Sequence, residues 1–432
     1  MKRLYSIGLR NLSDIVAKYY LANPHTFRII EGMLGNAGEP AVQVNETARH
    51  YLSMLSLDLT VKRTIEAIKR AINDYVVGRE FRLERGQEIW GALDVPRTVA
   101  TYPSLYSYLT YVPSNAIPEY AMLRKMAVFV KRVACKSLPS TIALVGDQAL
   151  QENPLNIILR EIIGRMRSNC VTLSRKINEL PRTTSVGELS SYVRTRGPYL
   201  PSWFHGAYKA YSIARRVSGN PNYKAGMSRR FEGKDFVLLG WRLYELFIML
   251  LVLDIFAELG YSAKLNDNYV ELTRRGKTIR LLFNGQLDSS IIKSVDGDET
   301  IAASIRGRPD VSIQDDNPNG GKLIVIDGKF SRYPAYITAG RFKVMAYMYE
   351  YNADLGMVMF PGLNESRKYD EEDEATARLW MKIKNKGYSE IVLSNEKRIY
   401  MVRLDPGLSE DPGQVWRDSR KTLEKLLRRH VT

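Results

Sequence analysis

Two acidic residues and a lysine could act together on two neighbouring strands in the C-terminal half of the sequence. Asp310 begins an alternating run of apolar and polar residues, which predicts a half-buried strand. The apolar run 323–326 predicts a buried strand that ends in Asp327, with Lys329 two residues later. Turn-forming residues separate the two runs, so we expect a hairpin. Because side chains alternate along a strand, Asp327 and Lys329 are predicted to lie on the same side.

A third carboxylate belongs to a strongly apolar helix that is predicted over 236–259. Glu245 lies on the same helix face as Met249 and other apolar residues, so the face that most needs burial carries a charge. An unpaired carboxylate is costly to bury. We therefore expect Glu245 to bind a metal or to pair with an arginine such as Arg242 or Arg308.

These residue types suit the hydrolysis of a phosphodiester. Asp310 and Asp327 can hold Mg²⁺ or Mn²⁺ through oxygen, and Glu245 can complete the site. Lys329 can lower the pKa of an attacking water or stabilise charge on the scissile phosphate. Covalent acyl chemistry has no support, since no serine or cysteine stands with a histidine and an acid in a recognisable pattern. The alternative is a surface ion pair across a hairpin.

Charge is unevenly distributed along the 432 residues. The net charge of +16 lies entirely in the first 230 residues, and the rest of the chain is balanced. A basic region beside a neutral one that carries the carboxylates predicts that one part holds a polyanion and the other acts on it. Solubility or adaptation to a hot cytoplasm would explain the same excess.

Cysteine and histidine usage argues against several kinds of site. The two cysteines, Cys135 and Cys170, lie far apart in sequence, which predicts neither a disulfide scaffold nor a thiolate metal cluster. Four isolated histidines argue against a zinc site. No apolar run approaches the length of a membrane span. We expect a cytoplasmic protein with no membrane partner, and a solvated loop at the acidic run 370–374.

Several basic and aromatic residues are predicted to contact nucleic acid. One group lies in the motif and helix beside the carboxylates, and the other follows a flexible joint at 219–226. These residues are Arg308, Arg341, Lys343, Tyr347, Arg229 and Arg230.

The acidic hairpin resembles the motif of the PD-(D/E)XK nuclease superfamily. Pro309-Asp310 and then Asp327-Gly-Lys329 follow its pattern, and Glu245 stands in the place of its upstream helix acid. Within the superfamily, the chain is most similar to McrC-type restriction endonuclease subunits. That similarity lies in Leu243-Tyr-Glu245, Arg308-Pro-Asp310 and Ile326-Asp-Gly-Lys-Phe330, and more loosely in Gly91-Ala-Leu-Asp-Val-Pro-Arg97 and Ile117-Pro-Glu119.

The sequence predicts an α/β (α+β) protein with a mostly helical, basic N-terminal region, and the resemblance implies that a restriction-endonuclease-like mixed central sheet flanked by helices follows it. The predicted domains are a helical segment (1–80), a basic DNA-binding region (81–230), a nuclease core (231–363), and strands with a basic helix packing on that core (364–432).

By the same resemblance, Glu245, Asp310 and Asp327 would be metal ligands and Lys329 the catalytic lysine of a Mg²⁺-dependent endonuclease, acting on double-stranded DNA in a restriction, defence or DNA-processing system. Its partners would be a nucleotide-hydrolysing motor subunit and further copies of the chain. The first 80 residues do not resemble such subunits, and Lys343 stands where they often have glutamine. A non-cleaving, nucleic-acid-binding assembly subunit and an RNA-directed nuclease remain alternatives.

Overall fold

The computed structural model describes residues 2–22, 24–35, 41–74, 78–114, 118–143, 154–180, 189–219, 233–316, 321–364 and 371–431. The chain forms two compact units. The first consists of Met1–Ser56, Ala143–Glu161 and Asn222–Thr432, and the second of Leu57–Ile142 and Ile162–Pro221. The predicted candidate residues that the structure describes all lie in the first unit.

The first unit combines an eight-stranded sheet with helices, in agreement with the predicted α/β class. Its helices are α1 (Lys2–Ala22), α2 (Pro24–Gly35), the start of α3 (Ala41–Asn73), α9 (Gly233–Glu258), α10 (Glu299–Ile305), α11 (Pro334–Glu350), α12 (Glu371–Lys386) and α13 (Pro412–Val431). Its strands are β4 (Ser262–Leu265), β5 (Val270–Arg274), β6 (Lys277–Phe283), β7 (Val311–Asp315), β8 (Leu323–Gly328), β9 (Leu355–Phe360), β10 (Tyr388–Val392) and β11 (Arg398–Arg403).

Strand β8 lies inside the sheet, whose order is β10-β11-β9-β8-β7-β6-β5-β4. Strands β7 and β8 are antiparallel, with Val311 opposite Ile326, which confirms the predicted hairpin. On its other side β8 runs parallel to β9. Every residue of β8 is buried, as its apolar sequence predicts for a strand covered on both faces.

Helices cover both faces of β8, and the alternation of its side chains decides which residue meets which helix. Val325 joins a core cluster with Ile337 and Val344 of α11. A Cβ at Gly328 would lie 2.7 Å from Ile248 of α9. Asp327 follows Val325 by two residues and therefore faces α11 as Val325 does, whereas Gly328 faces α9.

Helix α9 is apolar over most of its surface, and most of its described residues are buried. It packs on α1 and α13 as well as on the sheet. The helix is followed by Gly260, whose φ of 85° terminates it as predicted from the sequence.

Helix α1 is held to the loop after β11. The Asn11 side chain donates to the carbonyls of Pro406 (2.8 Å) and Ser409 (2.7 Å). Residues near the start of the chain therefore support the same unit as the acidic hairpin.

The second unit contains a small sheet and long helices. Its strands are β1 (Gly78–Gly86), β2 (Ala92–Leu93) and β3 (Tyr106–Ser114), and its helices are the end of α3, α4 (Val95–Val99), α5 (Pro118–Ala143), the larger part of α6 (Pro154–Glu179), α7 (Leu189–Arg196) and α8 (Ser202–Gly219). Strands β1 and β2 do not pair as a hairpin, because β3 lies between them.

The expectation about the cysteines was wrong. Cys135 of α5 and Cys170 of α6 form a disulfide, with their Cα atoms 6.0 Å apart. Arg124, earlier in α5, donates to the carbonyls of Ile177 and Leu180 at the end of α6. The two helices therefore run antiparallel, which brings together residues that are distant in sequence.

The acidic run was also wrongly assigned to a loop. Its residues from 371 onward form the first turn of helix α12, where the positive end of the helix dipole stabilises carboxylates. Asp373 accepts a hydrogen bond from Thr338 of α11 at 2.8 Å. Across the described ranges, no helix has the length and apolar character that crossing a bilayer requires.

Candidate active site

Asp327 lies at the end of the buried strand β8 and is fully shielded from solvent. The Nζ atom of Lys329 lies 2.6 Å from its Oδ2, and the Nζ atom of Lys343 lies 3.0 Å from its Oδ1. Neither carboxylate oxygen has a well-aligned hydrogen bond within the described residues. Charge therefore holds this arrangement together, because the two ammonium groups offset the cost of burying the carboxylate.

Asp310 lies immediately before β7 and approaches the end of β8. Its Oδ2 accepts a hydrogen bond of 2.7 Å from the backbone N–H of Gly328. Burial, followed by the nearby negative charges of Glu245 and Asp327, raises the pKa of Asp310 well above its usual range. Lys343 and Lys329 act in the opposite direction. Three carboxylates and two ammonium groups thus share one electrostatic environment.

Lys343 was predicted to contact nucleic acid, and the structure places its ammonium beside the carboxylates. Burial lowers the pKa of Lys343, but the carboxylates of Asp327 and Asp310 outweigh burial, and the net pKa is raised. Its ammonium also lies 5.3 Å from the centre of the Tyr347 ring. Lys343 is therefore a second cation of the site itself.

Helix α11 fixes the loop that carries Asp310. The hydroxyl of Tyr347 donates to the carbonyl of Arg308 at 2.9 Å, and that of Tyr351 donates to the carbonyl of Gly307. Glu350 accepts from the N–H of Gly307 through both carboxylate oxygens, at 3.0 and 3.1 Å. A Cβ at Gly307 would lie 2.5 Å from the Tyr347 ring, so this position requires glycine. Burial raises the pKa of Tyr347 to about 12, which keeps its hydroxyl protonated and able to donate.

Glu245 pairs with its helix neighbour. Its Oε2 lies 2.5 Å from Nη1 of Arg242 and accepts a 3.0 Å hydrogen bond from the side chain of Asn284. The arginine alternative raised from the sequence is therefore what the structure shows, although Glu245 still contributes to the electrostatics of Asp310. Asn284 has a φ of 50°, a left-handed conformation that asparagine tolerates better than most residues.

Gly340 of α11 leaves the space that the acid–lysine pair occupies. A Cβ at this position would lie 3.0 Å from both Cγ and Cε of Lys329, and 3.3 Å from Oδ2 of Asp327. Gly340, Glu350 and Asn284 were not among the residues predicted from the sequence. A glycine inside a predicted helix was the one available signal, because glycine there is unfavourable without a packing reason.

The remaining predicted residues lie in different surroundings. The guanidinium of Arg341 lies 4.9 Å from the centre of the Phe342 ring, and its Nε is buried without a hydrogen-bond partner in the described structure. The side chain of Arg308 lines a cavity beside the site. Arg229 and Arg230 lie outside the described residues.

A hard divalent cation fits the donor chemistry of the site. Asp310 and Asp327 supply carboxylate oxygens, and the two oxygens of Asp327 have no aligned hydrogen-bond donor among the described side chains. No group of three or more His, Cys, Asp and Glu side chains is arranged to hold a metal in the ranges that the structure describes. Two protein carboxylates with water or phosphate completing the shell is the usual arrangement for Mg²⁺.

Comparison with known proteins finds similar solved structures, one of which is described below, and no matching family. No family model matches the sequence, and neither does any curated protein. A structure described as a half-complex from a tetradecameric assembly of Thermococcus gammatolerans McrB AAA+ hexamers with bound McrC is similar at a TM-score of 0.30 and 11% identity. The match covers 97% of this chain and 76% of that one.

Proposed function

We propose that this protein is a metal-dependent endonuclease that hydrolyses phosphodiester bonds in DNA. The proposal rests chiefly on Asp327, a fully buried carboxylate that faces two lysine ammonium groups at the end of a central strand. Burying such a cluster is costly, so a protein that needed only stability would do better with apolar residues. The pKa of the neighbouring Asp310 is raised well above its usual range, and carboxyl groups with such shifted pKa values cluster at catalytic sites.

Each group of the site has a role in this proposal. Asp310 and Asp327 would hold Mg²⁺ or Mn²⁺, which when bound polarises a phosphoryl oxygen and lowers the pKa of a water. The ammonium of Lys329 would neutralise charge that develops on the scissile phosphate. Lys343 would hold Asp327 in place and offer a second positive charge to the same phosphate. Glu245 would act by keeping Asn284 and Arg242 in position.

Charge segregation supports nucleic acid as the substrate. The second structural unit contains 23 Lys and Arg residues against ten Asp and Glu, so it carries most of the net charge of +16. Contacts with phosphates dominate the affinity of proteins for DNA. A basic unit and a separate acidic site would divide binding from cleavage. The restriction or DNA-processing role and the motor partner that the sequence resemblance implies belong to this same proposal.

The pairing of Glu245 with Arg242 and Asn284 favours a second candidate, a nucleic-acid-binding assembly subunit that does not cleave. In such a protein the carboxylates would serve only to hold the hairpin and α11 together. The two candidates differ in cleavage and agree in binding.

Cleavage by the wild type separates the two candidates, and Lys329→Ala tests the mechanism. We expect the wild type to cleave supercoiled and linear duplex DNA in Mg²⁺ or Mn²⁺, and Lys329→Ala to cleave roughly a hundredfold or more slowly with nearly unchanged DNA affinity. Lys382→Ala, at an exposed position on α12, is the matched control and should cleave normally. Full activity in Lys329→Ala would reject the mechanism, and binding without cleavage by the wild type would favour the assembly subunit.

A further inference from the structure

A cavity of about 340 Å³ opens beside Glu245 in the first unit. Its volume lies within the range of ligand pockets, which is about 300–1,000 Å³. Met33, Leu265 and Leu281 form the apolar part of its wall. None of the chemistry assigned above to Asp327 and Lys329 uses this space.

The polar and aromatic parts of the wall have the chemistry that recognises a nucleobase. Two aromatic residues, Tyr269 and Phe283, and three carboxamide residues, Asn268, Asn284 and Gln286, line the cavity. The amide group of Asn284 donates to Glu245 and that of Gln286 to the carbonyl of Ala303, which leaves their carboxamide oxygens and the whole carboxamide of Asn268 for a ligand. Aromatic rings stack on the faces of bases, and carboxamides pair with the N–H and C=O groups on base edges.

The rings are held in place from outside the cavity. The guanidinium of Arg280 lies 5.9 Å from the centre of the Tyr269 ring, and that of Arg242 lies 5.5 Å from the centre of the Phe283 ring. A ring that is already fixed loses little freedom when a planar ligand stacks on it.

The charged groups of the wall favour a base over a phosphate. Arg308 and Asp288 both line the cavity, so its charge is mixed. Within the described residues, the Arg308 guanidinium has no hydrogen-bond or ion-pair partner and remains available to a ligand. A carboxylate in the wall repels a phosphate but can accept a hydrogen bond from an amino group of a base.

The cavity is connected to the catalytic carboxylates by single residues. Asn284 lines it and also donates to Glu245 at 3.0 Å. The backbone N–H of Asn284 donates to the carbonyl of Asp310 at 2.9 Å. Arg308 lines the cavity two residues before Asp310. A base in the cavity would therefore lie close to Asp310. The phosphate attached to that base would then lie near the catalytic carboxylates.

We propose that this cavity receives one nucleobase of the nucleic-acid substrate, turned out of its stack, next to the bond that is cut. The inference rests on the proposed nuclease function and adds a base-reading step to it. Withdrawing a base from the stack is how proteins read or modify a base that a duplex hides. Cleavage position would then depend on the base that the carboxamides and Arg308 accept.

The experiment uses the full chain and an oligonucleotide duplex that carries 2-aminopurine, whose fluorescence rises when it leaves the base stack. We expect a severalfold rise on binding to the wild type without added divalent metal. Asn268→Trp should abolish the rise because it fills the rim of the cavity, where Asn268 is exposed and has no side-chain partner in the described structure. Tyr269→Ala, which removes a stacking surface, should weaken oligonucleotide binding about tenfold.

Asn395→Trp is the matched control, since it makes the same exchange in an exposed turn away from the cavity and should retain the rise. Thermal unfolding of each variant checks that it is folded. Absence of a rise in the wild type, or a full rise in folded Asn268→Trp, would overturn the inference. Cleavage by the wild type is scored separately: cleavage without a rise rejects the cavity alone, and a cavity-dependent rise without cleavage rejects the nuclease alone.

Discussion

Gly340→Ala probes how tightly α11 packs against the acid–lysine pair. The new Cβ would lie 3.0 Å from two carbons of Lys329 and 3.3 Å from Oδ2 of Asp327. Replacing glycine by alanine inside a helix stabilises it by about 1 kcal/mol. Crowding a packed site costs about 1–3 kcal/mol. We therefore expect a net effect on the free energy of unfolding between about zero and a loss of about 2 kcal/mol.

The same substitution should change sign when Lys329 is shortened. Lys329→Ala removes both crowded carbons and leaves only the 3.3 Å approach to Asp327, so Gly340→Ala should then stabilise by about 1 kcal/mol. The difference between the two backgrounds is a coupling free energy of about 1–3 kcal/mol. Gly164→Ala in α6 is the control for helix propensity, because a Cβ there meets nothing within 4 Å.

Urea unfolding of the four proteins, followed by tryptophan fluorescence, measures this coupling. Trp241, Trp380 and Trp416 lie in the first unit and report its transition, and Trp90 and Trp203 report that of the second unit, where Gly164 lies. Additivity of the two substitutions within about 0.5 kcal/mol would refute the packing argument. In DNA cleavage, Gly340→Ala should be about tenfold or more slower, because small displacements of a catalytic group are expensive.

Two further predictions concern stability. Cys135→Ser should lower the free energy of unfolding by about 4 kcal/mol, since the disulfide closes a loop of 35 residues; urea unfolding with and without reductant tests this, and a wild type indifferent to reductant would contradict it. Burial lowers the pKa of His50 to about 4. Between about pH 6.5 and 4, His50 is therefore protonated in the unfolded chain and neutral in the folded chain. Stability should therefore fall between pH 6.5 and 4 by about 3 kcal/mol more in the wild type than in His50→Gln, and parallel unfolding curves across that range would count against it.

The sequence predicted those parts of the fold that local patterns determine. The apolar run before Asp327 indicated a strand buried on both faces, and turn formers indicated the hairpin with β7. The long apolar helix and its terminating glycine followed from the same kind of pattern. These features need no knowledge of distant residues.

Contacts between distant segments could not be predicted in this way. Lys343 was predicted to contact nucleic acid, but the sequence does not show the rotation of its helix against β8, which brings its ammonium 3.0 Å from Asp327. The contact with nucleic acid stays a prediction. The disulfide was not predicted for the same reason, since it depends on how two helices pack against each other. For Glu245 the sequence left two possible partners, a metal ion or an arginine, and the structure shows an ion pair with Arg242.

The attachment of α1 has a consequence for the order in which a ribosome-bound chain can fold. Asn11 finds its hydrogen-bond partners at Pro406 and Ser409, almost at the other end of the chain. Contacts of such long sequence separation form late, because a large loop must close first. The second unit can be completed while the first still lacks its last segment. The part of α1 that packs on α13 and on the loop after β11 therefore stays uncovered until those segments have been synthesised, and a chaperone that shields this surface would raise the yield of folded protein.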